Sequence, residues 1–199
     1  MTVERKTDEE LMTRFQNGSL EAFETLYARY RMPIYSFLVR QCVRPDSAEE
    51  LAQDVFMKVI RSASSFGHAS KFSTWIFTIA RNQAVDAFRK GKHRNHASLD
   101  QPTRVDGPTL KDRLAVEGRD PERDTTATRL RGALDEAIAR LPEDQREVFL
   151  LREYSGLRFA EISEVVGAKE GTVKSRMRYA LEFLRHQLSD YEDYARTLP

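Results

Sequence analysis

The chain has 199 residues, of which 40% are hydrophobic and 32% are charged, with 32 basic and 31 acidic side chains. No segment approaches the roughly 18 consecutive apolar residues of a membrane-spanning helix, so we expect no membrane insertion. The single cysteine, Cys42, excludes an internal disulfide, and four scattered histidines show no metal-ligand spacing. The start of the chain, MTVERKTDEELM, lacks the apolar core of a signal peptide, and we therefore expect a cytoplasmic protein.

The first part of the chain, residues 8–94, has the periodicity of amphipathic helices. Apolar residues between Leu11 and Tyr30 recur at spacings of three and four, with an interruption at Asn17 and Gly18. A further helix is predicted to begin near Pro45 and to bury Val55 and Val59. A small, polar loop follows over residues 62–73, and the apolar pattern then resumes.

Residues 95–127 differ in composition from the segments on either side. Three of the seven prolines lie here, together with two glycines and many charged residues of both signs, but no aromatic residue. Such a segment buries too little apolar surface to offset its ordering entropy, so we predict a flexible linker. The fold class is therefore expected to be all-α, with helical domains at 8–94 and 128–190.

The segment FAEISEVVGAKEGTVKSRMRYALEFLR, residues 159–185, has the pattern of a helix-turn-helix. Ser163 is small enough for the helix crossing, Gly167 suits a turn with positive φ, and Val173 anchors the second helix. We predict that Met177, Ala180, Leu181 and Leu184 form the buried face of that helix, which leaves a basic face for the major groove of DNA.

Residues 72–94, FSTWIFTIARNQAVDAFRKGKHR, combine aromatic and basic side chains. Planar rings suit unstacked bases and cations suit phosphates, so this segment is a candidate for binding single-stranded or opened DNA. Aromatic residues such as Trp75 and Phe77 are also ordinary core residues, and this reading stays open. Asn82 and Arg89 are two helical turns apart and share one face.

Taken together, these blocks resemble the sigma-70 family of RNA polymerase sigma factors, in particular the extracytoplasmic-function (ECF) type. The start of region 2 is resembled by LEAF at residues 20–23 together with LY at residues 26–27. Residues 48–61, AEELAQDVFMKVIR, resemble the polymerase-binding helix of that region. Residues 72–90 resemble the segment that melts and reads the minus-ten element. Residues 141–181 resemble region 4, whose helix-turn-helix reads the minus-thirty-five element.

The resemblance implies a dissociable transcription initiation subunit without cofactor or metal. Its partners would be the β′ clamp and β flap of core RNA polymerase, promoter DNA as duplex and opened non-template strand, and an anti-sigma factor. The free protein would be a monomer, or a heterodimer with the anti-sigma factor. The residues expected to bind core polymerase are Glu49, Glu50, Gln53, Asp54 and Phe56. Those expected at the minus-ten element are Lys71, Phe72, Trp75, Arg81, Asn82, Arg89 and Lys90. Those expected at the minus-thirty-five element are Lys169, Thr172, Lys174, Ser175, Arg176 and Arg178.

The chain departs from the family pattern at the first position of each helix of the helix-turn-helix. Related sequences usually carry serine or threonine there, whereas this chain has Arg158 and Lys169. Each helix is expected to lose a side-chain cap worth about 1 kcal/mol. Lys169 is also expected to alter the preferred promoter sequence.

Three other functions fit the sequence less well than a sigma factor does. A conventional regulator would use the helix-turn-helix on duplex DNA without polymerase, but it leaves residues 72–94 unexplained. An enzyme is disfavoured, since the sequence shows no phosphate-binding loop, metal-spaced cluster or nucleophile motif. A polymerase adaptor that does not direct promoters is disfavoured by the basic recognition helix.

Overall fold

The computed structural model describes residues 6–41, 45–67, 70–95 and 121–191. All regular secondary structure within these ranges is helical, which confirms the all-α prediction. The helices of the first domain are α1 (Asp8–Gln16), α2 (Leu20–Gln41), α3 (Pro45–Arg61) and α4 (Phe72–Asn95). The helices of the second domain are α5 (Pro121–Arg140), α6 (Glu143–Glu153), α7 (Phe159–Val166) and α8 (Glu170–Gln187).

Local sequence signals account for the start of the first domain. Thr7 caps α1, because its hydroxyl accepts a hydrogen bond from the Glu10 backbone N–H at 3.2 Å. The Glu10 carboxylate in turn accepts one from the Thr7 backbone N–H at 2.8 Å, which completes a capping box. Gly18, with a φ of 95°, then makes the turn between α1 and α2.

The core of the first domain is rich in aromatic residues. Phe37 and Phe77 are fully buried and meet edge to face, with 5.8 Å between their ring centroids. Val55 and Val59 of α3 are buried as predicted. Three helices thus meet on a common core, which holds the outer faces of α3 and α4 in place.

The second domain begins earlier along the chain than the sequence predicts. Helix α5 starts at Pro121, within the segment 95–127 that the composition assigns to a linker. Proline suits the first turn of a helix. The linker prediction was therefore wrong from residue 121 onward, and residues 96–120 lie outside the described part of the chain.

The two domains contact each other through α2 and α4. Helix α4 packs against α7, and α2 packs against α5 and α6. The Arg40 guanidinium of α2 donates to the Asp135 carboxylate of α5 at 3.1 Å and stacks over the Tyr154 ring at 4.2 Å. The sequence left the relative arrangement of the domains open, and the structure shows a closed one.

Candidate nucleic-acid and partner interfaces

Helices α7 and α8 form the predicted helix-turn-helix. Gly167 ends α7 in the left-handed conformation, with φ of 66°, as predicted. The Ala168 backbone N–H then donates to the Ser163 carbonyl at 3.2 Å, which closes the turn. Val173 has no exposed surface and anchors α8 in the core, so its predicted role is also confirmed.

The buried face of α8 differs from the prediction at one position. Met177, Ala180 and Leu184 are buried, but Leu181 is 44% exposed. The spacing explains the difference, because Leu181 lies about 100° around the helix from Ala180 and so turns away from the core. Leu181 and the half-exposed Tyr179 are apolar groups on the surface of the second domain.

The residues predicted to face the minus-thirty-five element lie on the outer side of α8 and at its start. Arg176 is the half-buried one of the set, and its Nε donates to the Asp144 carboxylate of α6 at 2.9 Å. Lys174 pairs with Glu170 one turn earlier on α8, at 2.6 Å. The exposed members of the set are Lys169, Thr172, Lys174, Ser175 and Arg178.

The two unusual cap positions behave as predicted. Neither Arg158 at the start of α7 nor Lys169 at the start of α8 makes a side-chain cap hydrogen bond. Glu161 compensates in part at α7, because its carboxylate accepts from the Arg158 backbone N–H at 2.7 Å. Helix α8 thus presents N–H groups without a side-chain cap next to a lysine, which is a favourable place for a phosphate.

Helix α4 carries the predicted single-strand DNA residues on two different sides. Asn82 and Arg89 are exposed and two turns apart on one face. Trp75 is partly buried, with its ring centroid 5.2 Å from Phe66. Phe72 is only 1% exposed. We therefore assign the Phe72 ring to the core and leave it out of the proposed contacts, while the Lys90 side chain lies outside the described part.

Two further cations of this set are engaged by acids of the second domain. The Lys71 ammonium donates to Glu161 of α7 at 2.6 Å, and Arg81 donates to Glu147 of α6 at 2.8 Å. Burial raises the pKa of Glu147 above its ordinary value, although the Arg81 guanidinium opposes the shift. Burial also raises the pKa of Glu161, but hydrogen bonds from Lys71 and the Arg158 backbone outweigh it and hold that pKa low.

Helix α3 presents the predicted polymerase-binding residues with one exception. The four polar members, Glu49, Glu50, Gln53 and Asp54, are all exposed. Phe56 is 7% exposed, and its ring meets the Tyr27 ring at 4.7 Å between centroids. We therefore assign Phe56 to the core beneath this surface rather than to direct contact with a partner.

Apolar side chains beside this acidic surface were missed by the sequence analysis. Met57 is 45% exposed and Ile60 is 41% exposed. They lie four and seven residues after Gln53, on the same stripe of α3. The sequence does indicate their exposure, because both are apolar residues of α3 that lie outside the helical stripe formed by the buried Val55 and Val59.

The structure bears on two other features of the sequence. Within the described ranges, none of the helices has a stretch long and apolar enough to cross a bilayer. The same ranges contain no group of three or more His, Cys, Asp or Glu side chains arranged to hold a metal ion. Cys42 lies outside them.

Comparison with known proteins identifies the class to which this two-domain fold belongs. The family model of sigma-70 region 2 matches residues 26–94, and that of sigma-70 region 4 matches residues 131–184. The co-crystal structure of the sigma factor RpoE with the anti-sigma factor NepR from Bartonella quintana is similar in fold, with a TM-score of 0.65. At 24% identity, it covers 85% of this chain and 98% of that one.

Curated relatives narrow the class to one group. The ECF sigma factor SigW of Bacillus subtilis is 30% identical over 175 residues, which are 88% of this chain and 93% of SigW. The sigma factor CarQ of Myxococcus xanthus is 32% identical over 181 residues, 91% of this chain and 97% of CarQ. This chain therefore belongs to the sigma-70 family and is an ECF-type RNA polymerase sigma factor, that is, a transcription initiation factor.

Proposed function

We propose that three separate surfaces of this sigma factor divide the work of initiation. The exposed face of α3 binds core polymerase, the exposed face of α4 holds the opened non-template strand, and α8 reads duplex DNA. The observation that carries the proposal is that α4 and α8, in different domains, each present polar and basic side chains on an exposed face. One such surface would suffice for a conventional regulator.

The α8 surface is suited to the major groove. Thr172, Ser175 and Arg178 are exposed on one helix, where hydroxyl and guanidinium groups reach base edges and phosphates. Lys169 lies at the start of the same helix and would bind a phosphate there. These contacts would set the distance of the second domain from the transcription start.

The α4 surface is suited to an unpaired strand. Asn82 offers both a donor and an acceptor to a base edge, and Arg89 offers a cation to the backbone. Trp75, also on α4, packs against Phe66 with the two rings tilted, and it is partly exposed. No bond is made or broken here, because binding of the unpaired strand offsets the cost of opening the duplex.

The α3 surface combines acidic and apolar groups, which is the composition expected for docking onto a basic partner. Glu50 and Asp54 would steer association with the polymerase clamp, and Met57 and Ile60 would supply buried apolar area. Leu181 and Tyr179 are candidates for contact with the β flap, because both are exposed apolar groups on the second domain.

An anti-sigma factor is the expected regulator, and the protein is expected to act in the cytoplasm, where polymerase and DNA are found. The similarly folded RpoE of Bartonella quintana was crystallised with the anti-sigma factor NepR. The exposed apolar groups on both domains are suited to such a partner when polymerase is absent.

Run-off transcription with purified core polymerase on a randomised promoter library tests the proposal. Transcripts that start at a shared two-block motif only when this protein is present are the expected result. Asp54→Arg should lower transcription from all promoters, whereas Arg178→Ala should relax the preference for the upstream block alone. Glu136→Arg is the matched control for Asp54→Arg, since it reverses another exposed helical acid. Binding to duplex DNA without any transcript would instead establish a conventional regulator.

A further inference from the structure

Helix α1 carries none of the residues predicted to bind DNA or polymerase, yet its side chains hold the segment that leads into α4. The side-chain amide of Gln16, the last residue of α1, donates two hydrogen bonds to that segment. Its Nε2 donates to the carbonyl of Ala63 at 2.8 Å and to the carbonyl of Phe66 at 3.0 Å. The acceptors lie 47 and 50 residues further along the chain, so both are tertiary contacts.

The amide group of Gln16 matches the two carbonyls that it holds. An NH2 group has two N–H donors, and here each carbonyl takes one of them. The acceptors bracket a single turn of 3-10 helix, Ala63–Ser65, which is closed by a hydrogen bond from the Phe66 backbone N–H to the Ala63 carbonyl at 3.1 Å. Gln16 therefore fixes both ends of this turn.

A second side chain of α1 holds the start of α4. The first N–H groups of a helix have no partner within the helix, and Lys71, which precedes Phe72, carries no acceptor on its side chain. Glu9 supplies the acceptor, because its Oε1 accepts from the Phe72 backbone N–H at 3.0 Å. The helix dipole favours a carboxylate at this end. Helix α4 thus takes its cap from a residue 63 positions earlier in the chain.

Helix α1 is itself anchored, so it can serve as a fixed support. Leu11 and Met12 are buried in the core of the first domain. Arg29 and Tyr30 of α2 both donate hydrogen bonds to the Asp8 carboxylate, which lies beside Glu9 in the sequence. The acid that caps α4 therefore stands on a helix that is tied to α2.

The two contacts of α1 converge on the Trp75 ring. This ring packs against Phe66, with 5.2 Å between centroids, and against Phe72, with 5.9 Å between centroids. Gln16 holds the backbone of Phe66, and Glu9 holds the backbone of Phe72. Helix α1 thus fixes both residues against which the partly exposed Trp75 ring rests.

We propose that Gln16 and Glu9 are positioning residues for the opened promoter strand, because they hold the Trp75 ring where it stacks on an unpaired base. The inference rests on the proposed function of α4. Neither residue contacts the DNA. A ring that is already held in place loses little conformational entropy when a base stacks on it, so the hydrogen bonds of α1 strengthen binding of the strand.

The fluorescence of Trp75 tests the first step of this inference. The chain has one tryptophan, so the emission of the full chain reports on this ring alone. Gln16→Leu and Glu9→Leu remove the donors and the acceptor, and leucine is as good a helix former as either residue. Both variants should shift the emission to longer wavelength, because the loosened ring is more exposed to water. Circular dichroism should show unchanged helix content, since Gln16 is exposed and Glu9 is half-buried.

Binding of a single-stranded oligonucleotide by the holoenzyme with core polymerase tests the second step. Fluorescence anisotropy compares a labelled oligonucleotide carrying the minus-ten sequence selected in run-off transcription with one of scrambled sequence. The ratio of the two affinities is the readout, since contacts to phosphates are common to both. Gln16→Leu and Glu9→Leu should each lower this ratio about five-fold, which corresponds to about one net hydrogen bond.

Two variants serve as matched controls. Glu9→Gln removes the same charge as Glu9→Leu but keeps a side-chain carbonyl that accepts from the Phe72 backbone N–H. Gln187→Leu makes the same change as Gln16→Leu at an exposed glutamine of α8. Both controls should keep the emission and the affinity ratio of the wild type.

Three results would overturn the inference. Unchanged emission in Gln16→Leu and Glu9→Leu would show that α1 does not hold the ring. Shifted emission with an unchanged affinity ratio would show that the place of the ring does not matter to the strand. Equal losses in the controls would assign the effect to charge or to added apolar surface. Run-off transcription by the wild type separates these results from the proposed function: transcripts from a shared motif with intact ratios in the α1 variants refute only the positioning role, whereas no transcripts refute the sigma function.

Discussion

Two glycines four residues apart in the helix-turn-helix should respond in opposite directions to the same substitution. Gly167 has φ of 66° at the turn, and Gly171 lies in the first turn of α8. A Cβ added at either position meets no atom within 4 Å. At both positions, the effect of Gly→Ala on stability therefore comes from the backbone conformation and not from a steric clash.

The magnitudes follow from the two conformations. The left-handed conformation costs a residue with Cβ about 1–2 kcal/mol. The lower conformational entropy of the unfolded alanine variant offsets about 0.4–1 kcal/mol of this loss. Gly167→Ala should thus destabilise the second domain by about 1 kcal/mol. Gly171→Ala should stabilise it by about 0.5 kcal/mol, because alanine is the better helix former. Gly167→Asn should destabilise the second domain less than Gly167→Ala does, since asparagine tolerates the left-handed region.

Differential scanning calorimetry of the full chain measures both effects. The melting temperatures of Gly167→Ala and Gly171→Ala should differ by about 5 °C, with the wild type between them. Circular dichroism at low temperature should show unchanged helix content in both variants. Shifts of equal sign, or no loss in Gly167→Ala, would refute the assignment of this turn to the left-handed conformation.

Three further predictions follow from burial and exposure. Phe37→Ala should cost about 4 kcal/mol and lower the melting temperature by about 10 °C, because Phe37 is fully buried against Phe77. Met57→Ser should weaken binding to core polymerase about five-fold in a pull-down titration and leave the melting temperature unchanged, since Met57 is 45% exposed. Burial raises the pKa of Glu147 in the folded state. The free energy of unfolding of the wild type should therefore fall relative to that of Glu147→Gln as pH rises from the unfolded-state pKa to the folded-state pKa, and it should stay lower at higher pH. A stability difference between these two proteins that does not vary with pH would contradict this.

Local patterns account for what the sequence predicted correctly. The turn at Gly167 and the anchor at Val173 depend only on neighbouring residues and on helix geometry. The periodicity of α3 likewise places Val55 and Val59 inside and Gln53 outside. In each case the determining contacts lie within about two helical turns, where spacing and environment are directly linked.

The errors arose where the environment depends on distant parts of the chain. The family resemblance assigned Phe56 and Phe72 to binding surfaces, but Tyr27 and Phe66 from other segments cover their rings. Composition alone assigned residues 121–127 to a linker, although Pro121 begins a helix that is held by apolar residues further along. Spacing within one helix cannot reveal the partner that covers it.

The domain contact is the feature with the least sequence signal. Arg81 and Glu147 are 66 residues apart, and Arg40 and Asp135 are 95 residues apart, so no local pattern links them. The net charge of +1 conceals the arrangement, because the cations of one domain oppose acids of the other.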